Sequence, residues 1–99
     1  MAAVDLHAVV EAITIAHGRL TLAGLLGSLG HYKEAECLLN GALTLSTKTL
    51  GPSHPVVAEV LDGYADLLFK MNRSSAAQQL RARSKAIATL GASHSYLWQ

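Results

Sequence analysis

The chain has 99 residues, enough for one small domain, and its formal net charge is +1. It has one cysteine, Cys37, which excludes an intrachain disulfide framework. Hydrophobic residues make up 51% and charged residues 15%, so apolar surface is expected that a partner or more of the same kind of chain would cover.

The N-terminal stretch is apolar but lacks a basic leading region, and Asp5, Glu11 and His17 interrupt it. It predicts neither a signal peptide nor a membrane span. With the lone cysteine, this points to cytoplasm, or nucleus. A first helix is predicted over 4–29. Gly18, Gly24 and Gly27 each cost about 1 kcal/mol relative to alanine, so a kink or fraying is expected near His17–Gly18.

In 31–50, Ala35, Leu38, Leu39, Ala42, Leu45 and Leu50 recur at three- and four-residue steps and predict a second helix. Gly51 is its stop, and Pro52 cannot readily continue it. Ser53 is the expected cap of a third helix, with Pro55 in its first turn. That helix runs to about Met71 with Val57, Leu61, Tyr64, Ala65 and Leu68 inward. Asn72 breaks it as Gly30 breaks the first, since both tolerate left-handed backbone. A last helix, about 74–90, has a thinner stripe: Ala77, Leu80, Ser84, Ile87 and Leu90.

These elements occur twice. "LGPSHP" at 50–55 returns as "LGASHS" at 90–95, and "GHYKEAECLLNGAL" at 30–43 aligns with "NRSSAAQQLRARSK" at 72–85, forty-two residues on. The doubled phrase is read as the joint between helix pairs. Repeat one covers about 12–53 and repeat two about 54–94, in a single helical domain over 1–94 with a tail over 95–99. The fold class is all-α, with four or five antiparallel helices and no strand. Leu38, Leu39, Ala42, Leu61, Tyr64 and Ala65 should be buried. Each pair cannot cover its own apolar face and must stack on a neighbour.

The pattern resembles tetratricopeptide repeats, in the long variant found in kinesin light chains. Leu22, Ala23 and Leu26 fall where that family packs its first helix. Gly30 sits at the turn within the repeat. Tyr32, Glu34 and Ala35 resemble the Y-x-E-A opening of the second helix, Ala42 takes the small position between helices, and "LGPSHP" resembles the family's joint. In copy two, Tyr64, Ala65, Leu68 and Ala77 fit. Arg81 stands in place of a leucine or aromatic residue, Ser84 in place of alanine, and Ser95 in place of proline. The resemblance implies a short right-handed superhelix of antiparallel helix pairs. A polar last helix suits a terminal cap. With under two full repeats over 12–94, three readings remain: the C-terminal end of a longer solenoid, pairing with another copy, or marginal stability alone. The Tyr96-Leu97-Trp98 tail either folds back on the open end or is disordered.

No catalytic constellation stands out, so no enzyme activity, cofactor or metal is expected. "GLLGSLG" at 24–30 keeps its leucines at helical spacing and reads as helix, not a phosphate loop. His7, His17, His31, His54 and His94 show no metal-ligand spacing, and His54 and His94 read as joint residues that hydrogen-bond locally. Cys37, next to Ala35 and Leu38, is expected to be part-buried.

The resemblance implies a protein-interaction module, an adaptor or scaffold holding a peptide on its concave face. Carried over, Leu20, Gly24, Gly27 and Ser28 would line the groove in copy one, and Glu59, Asp62, Asp66, Phe69 and Lys70 in copy two. Glu59, Asp62 and Asp66 are three and four apart on one helix face. That face is either simply solvated or an acidic strip with Phe69 as apolar anchor, suited to a basic and apolar peptide.

The alternative function is a structural cap or a homodimer made through exposed solenoid ends. Charge is uneven: residues 1–66 balance at −4 and 67–99 at +5. The basic half, Lys70, Arg73, Arg81, Arg83 and Lys85, is either a solvated face or a contact for an acidic neighbour. Nucleic-acid binding is disfavoured, because no aromatic platform accompanies these bases.

Overall fold

Four helices follow one another through short turns: α1 (Leu6–Ser28), α2 (Tyr32–Leu50), α3 (Pro55–Lys70) and α4 (Ser74–Leu97). The structure, a computed structural model, describes residues 5–97, with side chains up to residue 89. No strand occurs among the described residues. The side chains of His94, Tyr96 and Leu97, and all of Trp98, lie outside them.

The boundaries have local causes. Asp5 caps α1: its carboxylate accepts the backbone N–H groups of His7 and Ala8 at 3.1 and 3.2 Å. The turn between α1 and α2 recurs between α3 and α4, bond for bond. The N–H of His31 donates to the Leu26 carbonyl and that of Arg73 to the Leu68 carbonyl, both at 2.8 Å. Gly30 donates to Gly27 and Asn72 to Phe69, both at 3.1 Å. This closure needs left-handed backbone at the residue after the helix. Gly30 (φ 84°) and Asn72 (φ 62°) supply it. The forty-two-residue period of the sequence is therefore also the period of the hydrogen bonds.

Three boundary expectations are corrected. His54, not Ser53, caps α3: its Nδ1 accepts the Val56 N–H at 3.1 Å. Ser53 lies one residue too early, because Pro52 and Pro55 set where the chain can turn into helix. The expected kink at His17–Gly18 is absent, and α1 is continuous. Its Ala12, Ala16, Ala23 and Gly27 are buried, and this packing outweighs the poor helix propensity of glycine. The joint expected at 90–95 is also absent, since α4 runs to Leu97. Where the first joint has Pro52 and Pro55, the second has Ala92 and Ser95, which keep their N–H groups and let the helix continue.

Gly18 is exposed, and a Cβ there would meet nothing within 4 Å. Gly18→Ala should therefore stabilise the chain by about 0.5–1 kcal/mol, read as a rise of several degrees in melting temperature. An unchanged or lowered melting temperature would show that α1 is not a settled helix at this point.

The core has one main cluster joining three helices: Ala16 and Ala23 from α1, Ala35, Leu39 and Ala42 from α2, and Val56, Val60 and Leu67 from α3. Two smaller clusters join α3 to α4, one around Val57, Leu61 and Ile87, the other around Ala65, Leu68 and Ala77. Sandwiched between the first pair and α4, α3 buries two faces. That is why Val56, Val60 and Leu67, absent from the predicted inward stripe, are buried too. Leu38 and Tyr64 are half-buried rather than buried. Cys37 is exposed, not part-buried, because two residues turn a helix about 200° away from the buried Ala35. Ser84 is buried and donates to the Ala58 carbonyl at 3.1 Å, tying α4 to α3.

Candidate partner-binding cleft

The first helices of the two pairs lie side by side and run the same way. His17 of α1 meets Glu59 of α3, with Nε2 and Oε2 2.6 Å apart. Further along, a Cβ at Gly63 would run into Leu20, and one at Gly27 would lie 3.4 Å from Leu67. His17 and Glu59 are forty-two residues apart, so equivalent positions of the two repeats touch.

Between α1 and α3 lies a cleft of about 360 Å³. Leu20, Ala23, Leu39 and Leu67 give it an apolar lining, Gly24, Gly27 and Gly63 complete the wall, and Asp66 and Lys70 add one charge of each sign. Of these glycines Gly24 leaves open space, since a Cβ there would meet nothing within 4 Å, whereas Gly27 and Gly63 let Leu67 and Leu20 of the facing helix approach.

The residues singled out from sequence divide. Leu20, Gly24, Gly27, Asp66 and Lys70 line the cleft. Ser28 instead donates to the Gly24 carbonyl at 3.0 Å. Asp62 is exposed, outside the lining, and makes no ion pair among the described residues. Phe69, 39% exposed, lies under Arg81, whose guanidinium carbon is 5.3 Å from the ring centroid. Arg81 also pairs with Asp66. The three acids thus have different surroundings: His17 holds Glu59, Arg81 holds Asp66, and Asp62 faces water. Such exposed pairs contribute at most about 1 kcal/mol each and mainly set side-chain directions. Sequence reading missed His17, Ala23, Leu39, Gly63 and Leu67. The repeat offset itself carried the signal for His17, since it places His17 and Glu59 at the same repeat position.

Part of the charge asymmetry is answered inside the chain. Arg73 reaches Glu36 at 3.1 Å, and the Tyr64 hydroxyl donates to the same Glu36 oxygen at 2.9 Å. Burial first, and then the Glu36 carboxylate, push the Tyr64 phenol above its ordinary value of 10.0, while Asn40 and Arg73 pull the other way. The folded state therefore favours the neutral phenol. Its contribution to stability is complete below pH 10 and is lost as pH rises through the higher folded value. Tyr64→Phe should lose less stability than the parent chain between neutral pH and the alkaline side of that value, as read by urea unfolding at each pH. Parallel losses in the two chains would show that the phenol does not titrate in this setting.

Among the described residues, no group of three His, Cys, Asp or Glu side chains converges to hold a metal ion. By length and composition α1 is apolar enough to cross a membrane, though one of its faces is built into the helix bundle.

Residues 11–89 match the sequence profile of the tetratricopeptide repeat, so the chain belongs to that family. Neither the curated proteins nor the solved structures give a significant match. Tetratricopeptide repeats generally mediate protein–protein interaction, and the family is typically non-catalytic.

Proposed function

We propose that the chain is a non-catalytic adaptor or scaffold that holds an extended segment of a partner protein in the cleft between α1 and α3. The observation that carries this reading is the glycine-opened apolar cleft on the first helices of both repeats. A partner's apolar side chain would enter beside Gly24. Asp66, and Asp62 and Glu59 farther out, favour basic neighbours in that segment, and Lys70 favours a carbonyl or carboxylate. Phe69 would contribute once Arg81 moves off its ring. The forty-two-residue period supports the longer repeat variant of kinesin light chains. Nothing in this reading calls on a cofactor or nucleic acid, and the lone Cys37 favours a reducing compartment, the cytoplasm or nucleus, for it.

The test is selection of a displayed random peptide library on the full chain, repeated on Gly24→Leu. Leucine is a strong helix former and the space at Gly24 is open, so this change should fill the cleft and keep the fold. Selected peptides should pair an apolar residue with Lys or Arg and lose binding to Gly24→Leu. Peptides that bind both forms equally would place the site elsewhere.

A further inference from the structure

Three departures of repeat two from repeat one meet in one place. Forty-two residues after Gly24, Gly27 and Leu39 stand Asp66, Phe69 and Arg81. In repeat one, Gly27 admits Leu67, and Leu39 is buried in the main cluster. In repeat two, Arg81 is exposed and reaches from α4 onto α3. Its guanidinium carbon lies 5.3 Å from the Phe69 ring centroid, within cation–π range, and its Nη2 donates to Asp66 Oδ1. Asp66 also lines the cleft. A guanidinium therefore already sits at the edge of the partner surface, and it is the chain's own.

We propose that Arg81 is a built-in stand-in for an arginine of the partner segment, which displaces it from Phe69 and Asp66 on binding. This rests on the reading of the α1–α3 cleft as the partner site, and narrows its basic neighbour to an arginine. A planar guanidinium bonds a carboxylate and lies on a ring at the same time, which a compact ammonium does less well.

The exchange is like for like, since the incoming arginine remakes each contact that Arg81 gives up. It needs no unfolding, because the Arg81 and Asp66 side chains are 51% and 65% exposed. Asp62, one turn earlier on the same face, makes no ion pair among the described residues and offers an entering cation its first carboxylate. With Arg81 in place, only a fraction of the chains is open to a partner, and the apparent affinity falls by that fraction. Arg81 is thus a filter: a segment without arginine has nothing to set against its displacement.

The experiment has two arms. Phe69 is the single phenylalanine of the chain, so its ring resonances are unambiguous. In the first arm, N-propylguanidinium is titrated into the parent and into Arg81→Ala, with helicity checked. Arg81→Gln takes its place if helicity falls. The probe should move the variant's Phe69 resonances back toward the parent's, and move the parent's own much less. Adding Asp66→Asn should abolish the response, and propylammonium should give a smaller one. In the second arm, peptides selected on the parent for Gly24-dependent binding should carry arginine. They should bind Arg81→Ala about three- to thirtyfold more tightly at low salt, because the exposed pair and the ring contact no longer compete. Arg83→Ala removes the same charge about 200° around α4 and should change affinity little. The proposal is overturned if the Phe69 ring of the folded variant ignores propylguanidinium, or answers it no more than the parent does or no more than it answers propylammonium. It is also overturned if Gly24-dependent peptides bind Arg81→Ala no more tightly. Failure to find any Gly24-dependent peptide would count against the cleft instead, and the Phe69 ring would still decide whether Arg81 holds a place for a guanidinium.

Discussion

Ala42→Arg should abolish the folded state. Ala42 is wholly buried in the cluster where α1, α2 and α3 meet, and its neighbours there include Ala16, Ala35 and Leu39. Alanines on facing helices let the backbones approach, so a long side chain can fit only by prising the pair apart. No carboxylate belongs to this cluster, and a buried unpaired charge costs several kcal/mol, comparable with the whole stability of a domain this size. Circular dichroism should show the helical signal lost at 25 °C. A variant that melts like the parent would place Ala42 on the surface and put α2 in the wrong phase.

Leu39→Ala should be among the costliest simple truncations. Leu39 is fully buried, lies in the three-helix cluster and reaches the wall of the cleft. Truncating a buried leucine costs about 2–5 kcal/mol, depending on how far the site collapses. Its repeat counterpart gives an internal control: Arg81 is exposed, so Arg81→Ala should cost about 1 kcal/mol or less. Urea unfolding of both variants checks the pair. Equal losses would mean that the two repeat positions have the same surroundings, which the structure denies.

Much of this architecture was legible because the chain states it twice. The alanines and leucines of α2 have one buried face, so a single stripe placed Ala35, Leu39 and Ala42 correctly. Gly30 and Asn72 share one turn chemistry and fixed two helix ends. Reading failed where a residue's surroundings come from elements distant in sequence. A one-stripe reading of α3 cannot foresee that the helix is sandwiched, so Val56, Val60 and Leu67 escaped it. The end of α4 was misplaced because "LGASHS" resembles "LGPSHP" in every feature except the prolines, and the prolines are what stop the helix. For the cleft, helical spacing put Glu59, Asp62 and Asp66 on one face. The ion pairs that give each of them different surroundings depend on His17 and Arg81, which lie on other helices.

The central claim, that partners are held between α1 and α3, is tested most directly by titrating a library-selected peptide into the isotope-labelled full chain and following backbone amide resonances. The account predicts the largest shifts at Gly24, Gly27, Gly63 and Lys70, with Leu22, Leu25 and Leu29 little affected. Shifts concentrated on the outer face of α1 or along α4, with the cleft amides unmoved, would contradict it.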